Sequence, residues 1–148
     1  MSITIFVEAM PRPGGSKIAF WAAKKQKMVY RDACAGNKDW RSAVVAFARD
    51  AYRGEALTGP LRVQFLFLMP RPKSHYTTRR TLRATAPAFP TGKPDTTKLI
   101  RSTEDALTDA GMWGDDAQVV TQSAKKRYCR DGQVPGCLII IAQQEGTE

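Results

Sequence analysis

A chain of 148 residues, 43% of them apolar and 25% charged, has the size and composition of one globular domain with one hydrophobic core. That balance excludes a largely disordered chain, and the longest unbroken apolar run, Cys137 to Ala142, is far short of the roughly 20 residues that cross a bilayer. A net charge of +9 singles out nucleic acid as the partner, because neutralised phosphates release counterions and a cationic surface steers their approach.

In chain order, Ile3, Ile5 and Val7 alternate with Thr4, Phe6 and Glu8 and predict a strand. Met1 to Glu8 has neither the basic start nor the helical apolar segment of an export signal, so a cytoplasmic location is expected. Pro11, Pro13, Gly14 and Gly15 break the strand. The segment through Ser16 and Lys17 lacks a full phosphate-loop pattern, and it reads as a tight connection whose backbone approaches phosphate. Ile18 to Ala22 and Met28 to Arg31 flank a cationic turn, Lys24 to Lys27, as in a hairpin. Asn37 is the expected N-cap of a first helix with Trp40, Val44, Phe47 and Ala51 on one face and an end near Gly54.

Leu61 to Met69 begins with strand alternation and then fills both faces, the pattern of a central strand, before Pro70 stops it. Pro70 to Pro94 shows no periodicity, and irregular stretches of this length are usually functional or disordered. A second helix is expected from about Lys98 to Ala110, with Thr97 as N-cap and Gly111 as terminator. Gln118 to Tyr128 and Gly136 to Gln143 read as two further strands joined by a turn at Asp131 and Gly132. Strands mixed with two main helices define an α+β class, a single domain over 1–148 with a mixed, mostly antiparallel sheet. Cys34, Cys129 and Cys137 lack CxxC spacing, so they read as reduced structural thiols rather than disulfides or zinc ligands.

The chemistry concentrates between Asp95 and Asp116. Of the chain's 14 acidic residues, six fall there: Asp95, Glu104, Asp105, Asp109, Asp115 and Asp116. Carboxylates gathered at one end of a helix and strand repel one another unless a cation sits among them, and such oxygen donors suit Mg²⁺, with Mn²⁺ as a substitute. Glu104 and Asp109 also fit the plain solvated face of a helix, and Asp115 and Asp116 fit a simple turn after Gly114. The lone His75 supports no nucleophilic triad. With Tyr76 it sits in a basic loop, where an aromatic either packs on the surface or stacks on a base.

The stretch KPDTTKLIRSTEDALTDAGMWGDDAQVV, Lys93 to Val120, resembles the signature of the RusA-type Holliday junction resolvases of bacteria and their phages. The matching residues are Asp95, Leu99, Asp105, Ala106, Leu107, Trp113, Asp115, Asp116, Gln118 and Val119. The resemblance implies a homodimer of phage or prophage origin that binds four-way or other branched DNA and makes paired, Mg²⁺-dependent nicks in recombination and repair. It implies no membrane and no small-molecule substrate. In its terms Asp95, Asp115, Asp116 and Arg101 are catalytic, and Asp95, Asp116, Asp115 and Asp105 hold the metal. Lys17, Arg71, Lys73, Arg79, Arg80, Lys98, Arg101, Lys125 and Arg127 are the expected DNA contacts. The family's second Asp is replaced by Thr97, its Asn by Lys98 and its following Lys by Arg101. That departure leaves open a second reading, a catalytically weakened protein that binds junctions or single strands.

Overall fold

The computed structural model describes residues 1–14, 17–32 and 36–146. Eight regular elements follow one another: β1 (Ser2–Glu8), β2 (Lys17–Ala22), β3 (Lys27–Asp32), α1 (Asn37–Ala51), β4 (Leu61–Met69), α2 (Thr96–Asp109), β5 (Val119–Tyr128) and β6 (Gly136–Gln143). The main sheet has the order β1-β6-β4-β5, and β2 and β3 pair separately as the expected hairpin. β6 runs antiparallel to both β1 and β4, whereas β4 and β5 are parallel. The α+β class with a mixed, mostly antiparallel sheet is therefore what forms.

β4 owes its central place to its apolar run: Leu61, Val63, Phe65, Phe67 and Met69 are buried on one face and Leu68 on the other. β5 is polar, largely exposed and paired on one side only, and its charges at Lys125 to Arg127 suit an edge that must resist further pairing. Gly136 is fixed by a close approach, since a Cβ there would sit 2.1 Å from the Val7 carbonyl oxygen of the neighbouring strand.

Both helices cover the face that carries Ile3, Ile5, Val7, Phe65, Phe67, Ile139 and Ile141. α1 packs on α2 and β1, and α2 reaches β5. Between the helices the buried Trp40 indole donates to Thr103 Oγ1 at 3.1 Å, and that hydroxyl donates to the Leu99 carbonyl at 2.7 Å. Each buried polar group there has a partner, so none is left unpaired and the bonds offset the cost of its burial. Arg41 pairs with Asp109 at 2.7 Å across the same junction nearer solvent.

Several boundaries differ from the sequence reading. α1 is capped by Gly36 at φ 96°, and Asn37 is its first residue. The Asn37 amide instead donates to the Pro13 carbonyl at 2.7 Å. Its buried face is Trp40, Val44 and Ala48, with Phe47 partly exposed, and the helix ends at Ala51 rather than at Gly54. α2 starts two residues before the expected Lys98, because Asp95, not Thr97, has the extended backbone of an N-cap and its carbonyl accepts from Leu99 N at 3.1 Å. Gly111 does end α2: at φ 78° it lets its own N–H reach the Thr108 carbonyl and Met112 N reach the Leu107 carbonyl, a Schellman closure.

Pro70 to Pro94 is irregular except for one short 3-10 turn, Lys73–His75. Its order comes from internal bonds: Arg71 donates to the Pro87 carbonyl at 2.7 Å, and Arg83 Nε to the carbonyls of Ser74 and Tyr76. Cys129 and Cys137 are free thiols, as expected, while Cys34 lies outside the described residues. No described helix is long and apolar enough to cross a membrane.

Candidate functional site

The acidic residues separate into two groups at opposite ends of α2. Asp95 stands alone at the N-terminus, exposed, with Lys98 Nζ 4.0 Å from its carboxylate. At the other end Asp116 opens a 3-10 turn, Asp116–Gln118. One of its carboxylate oxygens accepts from the Thr108 hydroxyl and from the buried Trp113 indole, the latter at 3.2 Å. Thr108 lies in the last turn of α2, whose 14 residues span about 20 Å at 1.5 Å per residue. Asp116 thus faces the end of α2 rather than its start, and within one chain it does not meet Asp95.

Glu104 and Asp105, both half-buried on α2, complete the Asp116 group. Burial raises the Glu104 carboxyl above its ordinary range, the hydrogen bond from Gln122 opposes this, and the charges of Asp116 and Asp105 add to the rise. Asp105 is likewise raised, first by burial, with Arg41 opposing and Asp116 and Asp109 reinforcing. Three mutually repelling carboxylates facing one another are the electrostatic environment that a hard cation relieves. Among the described residues, however, no three His, Cys, Asp or Glu side chains converge closely enough to enclose an ion unaided. Asp116, Asp105 and Glu104 are the residues that could hold a divalent cation here, with water and phosphate completing its shell.

Asp115 is engaged in local structure. Its carboxylate accepts from Ala117 N at 2.8 Å, while the Gln118 side chain accepts from Gly114 N and Asp115 N, a reciprocal capping box. Gln118 Nε2 also donates to the carbonyls of Leu57 and Gly59. The Asp-Asp-x-Gln pattern is thus a clamp that holds Asp116 against Trp113. Arg101 lies exposed on α2 one turn before Asp105 and is the smallest of the effects on that carboxyl, acting against its net rise.

The cations cluster around two clefts that share the Tyr128 ring. One, of about 620 Å³, is lined by Arg71, Arg80, Lys125, Arg127 and Arg130, with Tyr76 and Phe89 beside them. Phe89 is 61% exposed. Arg71 sits 4.1 Å above the centre of the Tyr128 ring and His75 meets that ring edge-on, so these residues hold the wall between the clefts. The other cleft, of about 740 Å³, lies at the start of α2 between Asp95 and the proline-rich segment. The alternation of β5 divides its cations as its period requires. Lys125 and Arg127 reach the first cleft, and Lys126 reaches the second, where its ammonium donates to the carbonyls of Gly92 and Pro94 at 2.9 Å each.

Of the DNA contacts expected from sequence, Arg71, Arg80, Lys125 and Arg127 meet in the first cleft and Lys98 lines the second. Lys73 and Arg79 are exposed on the loop and line neither, and the side chain of Lys17 lies outside the described residues. Sequence reasoning passed over Arg12, Lys93 and Arg130 as cleft residues, and Thr108 as a partner of Asp116. The only signal for Thr108 is its position one turn before Met112 and Trp113.

A protein-family model, Endodeoxyribonuclease RusA, matches residues 11–141 of the chain. Among curated proteins none matches it.

Proposed function

Because the chain belongs to the RusA family of endodeoxyribonucleases, hydrolases that cut DNA phosphodiester bonds at Holliday junctions, we propose that it is a Mg²⁺-dependent homodimer that resolves four-way junctions by paired nicks. The observation that carries this reading is the clustering of carboxylates on α2 and in the turn after it, in a chain whose two clefts, joined at the Tyr128 ring, are lined by four or more cations against a single acid each. A phosphate backbone is drawn to the clefts and repelled by the carboxylates unless a cation is present there.

Asp116 is the principal metal ligand in this reading, supported by Asp105 and Glu104, with Asp115 acting through the capping box that fixes the turn. Asp95 lies a helix length away in the same chain, so it joins Asp116 only when a second copy sets its α2 alongside in the opposite direction. A homodimer then carries two equivalent sites, which matches two nicks. Bound Mg²⁺ would stabilise charge on the scissile phosphate and acidify the attacking water.

The chain's own residues perform the rest. The Thr108 hydroxyl and Trp113 indole hold Asp116 in one orientation, which limits the entropy lost when phosphate arrives. Arg101 faces the charge that develops on the phosphate oxygens. Water oxygen bonds to phosphorus as the bond to O3′ breaks, leaving a 5′-phosphate and a 3′-hydroxyl. Thr97 offers no carboxylate and leaves the first turn of α2 less acidic than the family pattern.

The test is a synthetic four-way junction with each strand labelled in turn, incubated with Mg²⁺, Mn²⁺ or EDTA. Symmetrical nicks that DNA ligase can seal, present with either metal and absent with EDTA, are expected. Binding without cleavage at any metal concentration would overturn this reading in favour of a binding protein.

A further inference from the structure

We propose that the cleft at the start of α2 is a nucleotide pocket: it accepts one nucleobase, unstacked from the branch point, whose phosphates lie against the cations at its mouth. The inference rests on the junction-nuclease reading above and adds to it a subsite for a single base.

The shape and lining support this occupant. The cleft holds about 740 Å³, within the range of roughly 300–1,000 Å³ typical of small-ligand sites. Its walls are largely apolar, from Met10, Met69, the prolines of the irregular segment and the Tyr128 ring. Its charges are Arg12, Lys93, Lys98 and Lys126 against the single acid Asp95. An apolar slot with an aromatic wall and a cationic rim complements a planar base carrying phosphates.

The walls are also built rather than incidental. The strap ahead of β2 is tied down at three successive carbonyls or amides: Ser102 Oγ donates to the Arg12 carbonyl at 2.7 Å, Asn37 Nδ2 to the Pro13 carbonyl at 2.7 Å, and Gly14 N to the Lys98 carbonyl at 3.0 Å. Asn37 and Ser102 are 2% and 1% exposed, and neither bond serves the acidic group at the far end of α2. A Cβ on Gly14 would lie 2.8 Å from Ser102 Cβ, so this close seating needs glycine. Opposite the strap, Lys126 ties down Gly92 and Pro94. A preformed cavity of this kind spares the ordering cost of binding.

Its position links it to the strand path. Tyr128 walls both clefts, so a backbone following Arg80, Lys125 and Arg127 passes the ring before reaching Asp95. Extruding a base costs least where stacking is already interrupted, and a branch point is such a place.

The experiment places 2-aminopurine, whose fluorescence is quenched by stacking within DNA, at each position flanking the branch point. Wild-type protein is added in EDTA, and excitation is chosen to avoid tryptophan. A rise of several-fold at one position per strand is expected. Met10→Trp, which fills the slot, should abolish the rise and weaken junction binding by no more than an abasic residue at the responsive position does. An abasic residue at the responsive position should weaken wild-type binding by about tenfold, the equivalent of one stacked base. This second measurement needs no variant to fold. A junction that is bound and nicked with no fluorescence change at any position, or with no penalty for the abasic residue, overturns the pocket alone. A junction neither bound nor nicked overturns the reading on which it rests.

Discussion

Replacing Asp116 with Asn separates chemistry from folding at one position. The side chain keeps its size and its Oδ1 acceptor, so the Thr108 hydroxyl and Trp113 indole retain a partner. Both bonds lose their charge assistance, each at a cost of about 1 kcal/mol. Against this, Glu104 and Asp105 lose a repelling neighbour. The two effects oppose, and the net change should be within about 1 kcal/mol, which for a domain of this size moves Tm by about 2–4 °C. A metal ligand is worth several kcal/mol of transition-state stabilisation, and each 1.36 kcal/mol is about tenfold in rate. Nicking should therefore fall by about a hundredfold or more. Junction binding in EDTA should persist or tighten, because a negative charge has left a surface that accepts phosphates. The assays are a melting curve, a gel shift in EDTA and single-turnover nicking. Nicking within a few-fold of wild type, with the fold intact, would refute the reasoning.

Three further outcomes follow from other parts of the molecule. Arg80→Ala with Lys125→Ala should lower the slope of log affinity against log salt by about two, one per lost phosphate contact, and an unchanged slope would remove the cationic cleft from the DNA path. The fold raises the pKa of Glu104, so the stability this group contributes is present below its unfolded pKa and lost as pH rises through its folded one. Glu104→Gln should accordingly be more stable than wild type at neutral pH and lose that advantage in acid, as read from urea midpoints across pH. Gly136→Ala drives a Cβ against the Val7 carbonyl and should destabilise by about 1–3 kcal/mol or more through separation of β1 from β6. A midpoint close to wild type would show that the strands can spread without cost.

Much of this was legible in the sequence where local pattern and burial agree. The alternation in β1 and the double-faced run of β4 predicted strands because side-chain period two and sheet burial act on the same residues. Gly111 was legible as a terminator because the left-handed backbone there favours glycine. Caps were less legible. Asn37 and Thr97 are good N-cap types, but Asn37 is drawn into a bond with Pro13, distant in sequence, and Asp95 already has the cap conformation before Thr97. The acidic residues were legible as a group and not as an arrangement: no local pattern tells that α2 runs its full length between Asp95 and Asp116. The Asp115-x-x-Gln118 spacing is that of a capping box, but no local pattern reveals that Trp113 and Thr108 hold Asp116. The shared Tyr128 wall was hidden for the same reason, since it depends on β5 lying parallel to β4.

The measurement that tests the central claim most directly mixes two variants. Asp95→Asn and Asp116→Asn are each assayed for Mg²⁺-dependent nicking of a four-way junction, and then combined after subunit exchange. If Asp95 of one copy acts with Asp116 of another, each variant alone is nearly inert. The mixed dimer, however, regains one complete site and nicks one strand of the junction. Near-normal nicking by either variant alone would take that carboxylate out of the reaction, and two inert variants that remain inert when exchanged would contradict a site shared between copies.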